Sequence, residues 1–241
     1  MNVIDCSAFI DPELYQKPGA QSLLGADGSV IENILEPSIQ VLARSGVIVY
    51  PTDTIYGLGV SAVDAKAVAK LPELKARSGD MPISIAVADL EMMEKIAVTT
   101  PIVRKIYNDF LPGGLTLLLD IRPEARSELP SLLLSNTGKI GVRVPNHNLT
   151  LALINRFGKP ITATSANLHG GPAPVSIAAT VDQLGDGVDL YIDCGTTKTS
   201  EASTILEISG SSINIIREGT ISRTTLASKL EVPIDGERDT G

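Results

Sequence analysis

The stretch Val47-Ile48-Val49-Tyr50-Pro51-Thr52-Asp53-Thr54-Ile55-Tyr56-Gly57-Leu58-Gly59 changes chemistry abruptly in its middle. Its first four residues are a short apolar run rich in β-branched side chains, the pattern of a buried strand rather than a helix. Pro51 has no N–H to give to a sheet ladder and ends the run. Hydroxyls, a carboxylate and two glycines follow at once. In α/β proteins small ligands gather at such strand ends. Taken alone, the segment reads more simply as a polar turn whose Thr and Asp side chains bond their own backbone.

Working outward, strands and helices alternate without an internal repeat. Ser38–Ala43 is expected to be a short helix stopped near Gly46. Asp64 is a helix N-cap, and Val68, Leu71 and Leu74 space an apolar face running toward Arg77. Pro72 interrupts that face. An interior proline costs about 3 kcal/mol, so the helix is expected to break near Leu71 and restart with Pro72 in its first turn. Strands are expected at 83–87, 115–119, 140–144, 161–163, 190–193, 203–208 and 212–216. Helices are expected at 89–97, 100–110, 149–157 and 177–184. The alternation defines an α/β class with a mixed sheet. Residues 1–37, broken by Pro12, Pro18, Gly19, Gly25, Gly28 and Pro37, read as an irregular lead-in with a short strand or helix at most. The domain is expected over 38–230, with a flexible tail at 231–241.

The chain has 241 residues, of which 43% are hydrophobic, enough for one substantial core. Aromatics are 3% and Trp is absent, so that core must be mostly aliphatic. No apolar stretch reaches membrane-spanning length, and the first residues lack a signal-peptide pattern. Cys6 and Cys194 fit no metal-ligand spacing; a reducing cytoplasm is the expected location. The net charge of −8 disfavours non-specific binding to nucleic acid. Yet Lys75, Arg77, Lys139, Arg143, Arg217 and Arg223 lie in or beside segments rich in Gly, Ser, Thr and Pro. Gathered by the fold, they would make a basic pocket suited to a small anion.

Each candidate segment also has a plainer reading. Lys75-Ala76-Arg77-Ser78-Gly79 could hold phosphate oxygens, or could be a solvated helix end complementing the dipole. On the strand Lys139-Ile140-Gly141-Val142-Arg143, residues 139, 141 and 143 share one face. Arg143 could grip a carboxylate with its planar fork, or form a structural salt bridge. Ala163-Thr164-Ser165-Ala166-Asn167 lets a ligand approach the backbone, or simply caps a helix. There is no Walker loop, G-x-S-x-G elbow or H-E-x-x-H. With only His147 and His169, an enzyme of this sequence should work by positioning and charge stabilisation.

Together and in this order, YPTDTIYGLG, LKAR, PGGLTLLL, IGVRVPNH, ATSAN, STILEI and IREGTIS make the chain resemble the YrdC-like threonylcarbamoyl-AMP synthase family from about Ile34 to Ser222. The resemblance implies a twisted mixed sheet with flanking helices around an open basic cavity. It implies binding of L-threonine, ATP with magnesium, and bicarbonate, and a product used to modify tRNA by a downstream threonylcarbamoyl transferase. Carried over by position, Thr54, Arg143, Ala163 and Ser203 would bind threonine. Arg77, Lys139, Ser165 and Arg217 would bind ATP. Lys75 and Arg77 would neutralise charge during catalysis, and a loop around Gly79 would close over the site. The chain departs from the family pattern at Ser78, Met81, Ala86, His169 and Ala173. Alternative functions on the same resemblance are a paralogue that binds another nucleotide or an acyl phosphate, and a non-catalytic module for double-stranded RNA or tRNA.

Overall fold

The computed structural model describes residues 1–6, 29–76, 82–135 and 138–230. Two sheets carry the fold. The first has five strands in the order β1 (Val3–Asp5), β9 (Leu190–Asp193), β2 (Ile48–Tyr50), β3 (Gly57–Gly59), β8 (Thr164–Ser165). The second has six, in the order β11 (Ser212–Arg217), β10 (Thr204–Ser209), β5 (Leu115–Asp120), β6 (Lys139–Arg143), β4 (Ile85–Ala86), β7 (Ile161–Thr162). Both mix parallel and antiparallel pairs.

The apolar run at 47–50 is buried on both faces, which explains why it does not alternate with polar residues. Val47 and Val49 point into a core shared with Leu58 of β3, Leu115 and Leu117 of β5, and Val142 of β6. Ile48 and Tyr50 point the other way, into a second cluster. That cluster includes Ile34, Leu35 and Leu42 of helix α1 (Ser29–Ala43) and Leu149, Leu153 and Ile154 of helix α6 (Asn148–Phe157).

Three local departures from the sequence expectations have physical causes. Helix α1 begins at Ser29, inside the segment read as irregular, and runs through Pro37. The proline deprives the Asn33 carbonyl of its helical partner, but Asn33 is exposed, and Ser38 Oγ donates to Ile34 O at 2.7 Å. Val3–Asp5, from the same segment, is a short strand of the kind expected there, an edge strand hydrogen-bonded in parallel to β9. The helix leading to Lys75 breaks at Ala69, earlier than expected, into α2 (Ala65–Val68) and α3 (Lys70–Leu74). Pro72 then sits in the first turn of α3, where a missing N–H is harmless. Gly57–Gly59, read as part of a turn, is strand β3. A Cβ on Gly57 or Gly59 would lie 2.6 or 2.9 Å from the Tyr50 ring, so the glycines let that ring lie flat on β3.

The other helices follow their caps. Asp89 precedes α4 (Leu90–Ile96), Thr100 precedes α5 (Pro101–Phe110) and Ser176 precedes α7 (Ile177–Leu184). A last helix, α8 (Arg223–Leu230), buries Leu226 and Leu230. No helix among the described residues is long and apolar enough to cross a membrane. The tail expected at 231–241 lies outside the described residues.

Candidate functional site

The loop between β2 and β3 is organised by its own first hydroxyl. Thr52 Oγ1 accepts from Thr54 N at 3.1 Å and donates to Ile55 O at 2.7 Å. The plain reading of this segment as a self-bonded turn is therefore true of Thr52. It fails for the next two residues, which reach across to the second sheet. Arg143, at the end of β6, donates from Nη1 to Thr54 Oγ1 at 2.8 Å. It donates from Nη2 to Asp53 Oδ1 at 2.6 Å. Its Nε donates to Gly113 O at 3.3 Å. Asp53 Oδ1 also accepts Asn146 N at 3.0 Å.

Beside this cluster, β10 begins. Ser203, buried, shares a 2.8 Å hydrogen bond with Thr116 Oγ1 of β5. The Ser203 carbonyl accepts from Arg217 Nη2 at 2.7 Å. Backbone segments meet closely here. A Cβ on Gly114 would lie 2.2 Å from Thr220 Oγ1, and one on Gly219 would lie 2.2 Å from Ala202 O. Partial desolvation, and then the charge of Arg143, lower the pKa of Arg217. The two guanidiniums are near enough to repel, and of the two Arg143 is paired with Asp53.

Of the residues singled out from the sequence, Thr54, Arg143, Ser203 and Arg217 converge. A second group forms around Lys75, at the end of α3. Its ammonium is buried and donates to Ser165 O, to Asn167 O at 2.7 Å and to Asn167 Oδ1 at 3.4 Å. Lys75 therefore ties α3 to the Ala163–Asn167 segment. Ser165 pairs with Gly57 of β3, which links this group to the first. Ala163 lies at the junction of β7 and β8, its N–H given to Ser84 O at 2.7 Å. Lys139 is placed apart. It lies four residues before Arg143 on an extended strand, about 13 Å away. Its Nζ donates to Asp120 Oδ1 and Ile208 O, both at 2.7 Å. Arg77, Ser78, Gly79 and Met81 lie outside the described residues.

Asp53, Thr116 and the Gly113 carbonyl are site residues that the sequence reading did not assign. Thr116 had a signal: it is the one hydroxyl in Leu115-Thr116-Leu117-Leu118-Leu119 and is buried. A surface depression of about 530 Å³ between Leu42, Ser45, Asp64, Lys66, Phe157 and Lys159 shares no residue with either group.

His147, just past β6, is buried, and burial pushes its pKa down to about 3. In the unfolded chain it titrates near 6.5. Above that pH both states are neutral and the fold has its full stability. Below it the unfolded state gains a proton that the folded state refuses until about pH 3. Stability should thus fall by about 1.4 kcal/mol per pH unit. Thermal melts at pH 7 and pH 5 should show a destabilisation of about 2 kcal/mol from this group. His147→Asn should remove that component, and an equal pH slope in the variant would refute it.

Two mixed sheets that meet beside a pair of arginines and a set of buried hydroxyls define an α/β domain. The family described as Sua5/YciO/YrdC, Telomere recombination, matches residues 40–219, and the chain belongs to that family. A putative threonylcarbamoyl-AMP synthase of Mycobacterium tuberculosis is 33% identical over 81% of this chain and 88% of its own. The threonylcarbamoyl-AMP synthase of Bacillus subtilis is 34% identical over 76% of this chain, which spans 52% of that protein. Among solved structures, Sua5 of P. abyssi complexed with L-threonine superposes with a TM-score of 0.78 at 28% identity, over 85% of this chain and 59% of that one. YciO of E. coli gives 0.70 at 26% identity, over 78% of this chain and 90% of that one. The chain thus spans less than two thirds of the length of the Sua5 chain and most of that of YciO.

Proposed function

We propose that this protein is an L-threonylcarbamoyladenylate synthase, converting L-threonine, bicarbonate-derived carbon dioxide and ATP into threonylcarbamoyl-AMP and pyrophosphate. The observation that carries the reading is the engagement of Arg143. Its guanidinium has five N–H donors, and three are given to Thr54, Asp53 and Gly113. One N–H on each Nη remains to donate to an amino-acid carboxylate. The hydroxyls of Thr54 and Ser203 would recognise the polar side chain of the substrate.

In this reading the threonine amine takes up carbon dioxide to give a carbamate. A carbamate oxygen then attacks the α-phosphorus of ATP and pyrophosphate leaves. Arg217, beside Arg143, meets the negative charge that builds on the phosphates. Ser165 lies within the nucleotide side of the pocket, and Lys75 holds its backbone in place. Once the carbamate exists the step needs little help from a base, which suits a site with no histidine among its named contacts. Among the described residues no three His, Cys, Asp or Glu side chains gather as a metal site. The magnesium of the reaction arrives on the phosphates of ATP. The product supplies threonylcarbamoyladenosine modification of tRNA through a downstream transferase.

Incubation with L-threonine, bicarbonate and ATP labelled at the α-phosphate tests the reading. Pyrophosphate and a labelled adenylate should form only when threonine and bicarbonate are both present. Release indifferent to threonine would mean a different acceptor and would overturn it.

A further inference from the structure

Arg143 is held by acceptors from separate parts of the chain. Gly113 comes from the turn before β5, and Thr54 and Asp53 from the loop between β2 and β3. Only Asp53 among these brings a charge. Its side chain is 17% exposed and that of Arg143 is 9% exposed, so the pair is mostly out of water. In such surroundings a cation with neutral acceptors alone is costly, and a single carboxylate sets where it rests. The same oxygen, Oδ1, that receives Nη2 also receives the N–H of Asn146, three residues past Arg143 in sequence. Asp53 therefore grips both the guanidinium and the backbone just beyond it. Thr54, the next residue, takes the other terminal nitrogen, so two adjacent residues engage both Nη1 and Nη2.

We propose that Asp53 is a positioning residue. It locks Arg143 in the rotamer that leaves its remaining terminal N–H groups available to the carboxylate of an amino-acid substrate. The inference rests on the reading of Arg143 as the carboxylate clamp. Without Asp53 the guanidinium keeps its charge but loses its heading, and the pocket would hold anions with less discrimination.

Titration calorimetry with L-threonine, on wild type, Asp53→Asn, Arg143→Lys and the double variant, separates the possibilities. Asn keeps the size of the side chain and an acceptor oxygen, so the fold is retained; a thermal melt of each variant verifies this. Asp53→Asn should weaken threonine binding about tenfold or more. ATP binding measured without threonine should change by less than about threefold, as expected of a group that acts only through Arg143. In the Arg143→Lys background, Asp53→Asn should cost much less, because the fork it orients is gone. An equal loss in both backgrounds, an unchanged threonine affinity, or a parallel loss of threonine and ATP affinity would each overturn the positioning role. If Arg143→Lys alone left threonine affinity intact, the failure would belong to the clamp reading and not to Asp53.

Discussion

Replacing Arg143 with alanine should lower threonine-dependent pyrophosphate release by about 30- to 5,000-fold, the equivalent of about 2–5 kcal/mol. The cost has two sources. The substrate carboxylate loses a charge-assisted, two-pronged partner. Asp53, Thr54 and Gly113 meanwhile lose the donor that all of them face. ATP binding without threonine should stay within a few-fold of wild type, since Arg217 and the Ser165 segment reach the site from other strands. Arg143→Lys should recover little, because an ammonium cannot donate to three acceptors and a carboxylate in one plane. Calorimetry with each substrate separately decides the matter. Should Arg143→Ala lose ATP affinity and keep threonine affinity, the two halves of the site have been assigned the wrong way round.

Lys75→Met should act mainly on the fold around the site. Methionine preserves most of the stem volume but removes the ammonium. The carbonyls of Ser165 and Asn167 then lose their donor in a half-buried setting, at about 1–3 kcal/mol for each unsatisfied group. A total of about 2–5 kcal/mol corresponds to a fall in Tm of about 5–15 °C for a chain of this size. The Lys75 carbonyl also accepts His169 N at 2.9 Å, so α3 and the 165–169 segment should loosen together. Activity should be lost with that order. A Tm equal to wild type, with ATP affinity alone reduced, would show that Lys75 serves phosphate and not the backbone.

The strands were legible wherever burial on both faces produced an apolar run, as at 47–50, 115–119 and 140–144. The elements that escaped are those whose stability comes from elsewhere in the chain. Gly57–Gly59 has no strand propensity and becomes a strand because the Tyr50 ring needs a surface without Cβ atoms. Val3–Asp5 fits the short strand expected in its segment, but no local pattern can reveal its partner. The first half of α1 was masked by Pro37, and α8 is anchored by only Leu226 and Leu230. At the site, the residues that converge were readable from ordered segments. What they touch was not: Asp53 and Thr116 matter through partners 90 and 87 residues away in sequence.

The placement of β9 between β1 and β2 has a consequence for how the protein is made on the ribosome. Strand β1 waits for hydrogen-bonding partners 188 residues further on. At about 5–20 residues per second that wait is about 10–40 s. Through it, the edge of β2 that β9 will cover stays open, and β1 has nothing to join. Strands β4, β5, β6 and β7 come from one continuous stretch and can pair well before then. The nascent chain thus carries four adjoining strands of one sheet and another sheet with its middle missing, and β1 and β2 are joined only when Leu190–Asp193 slots into the gap.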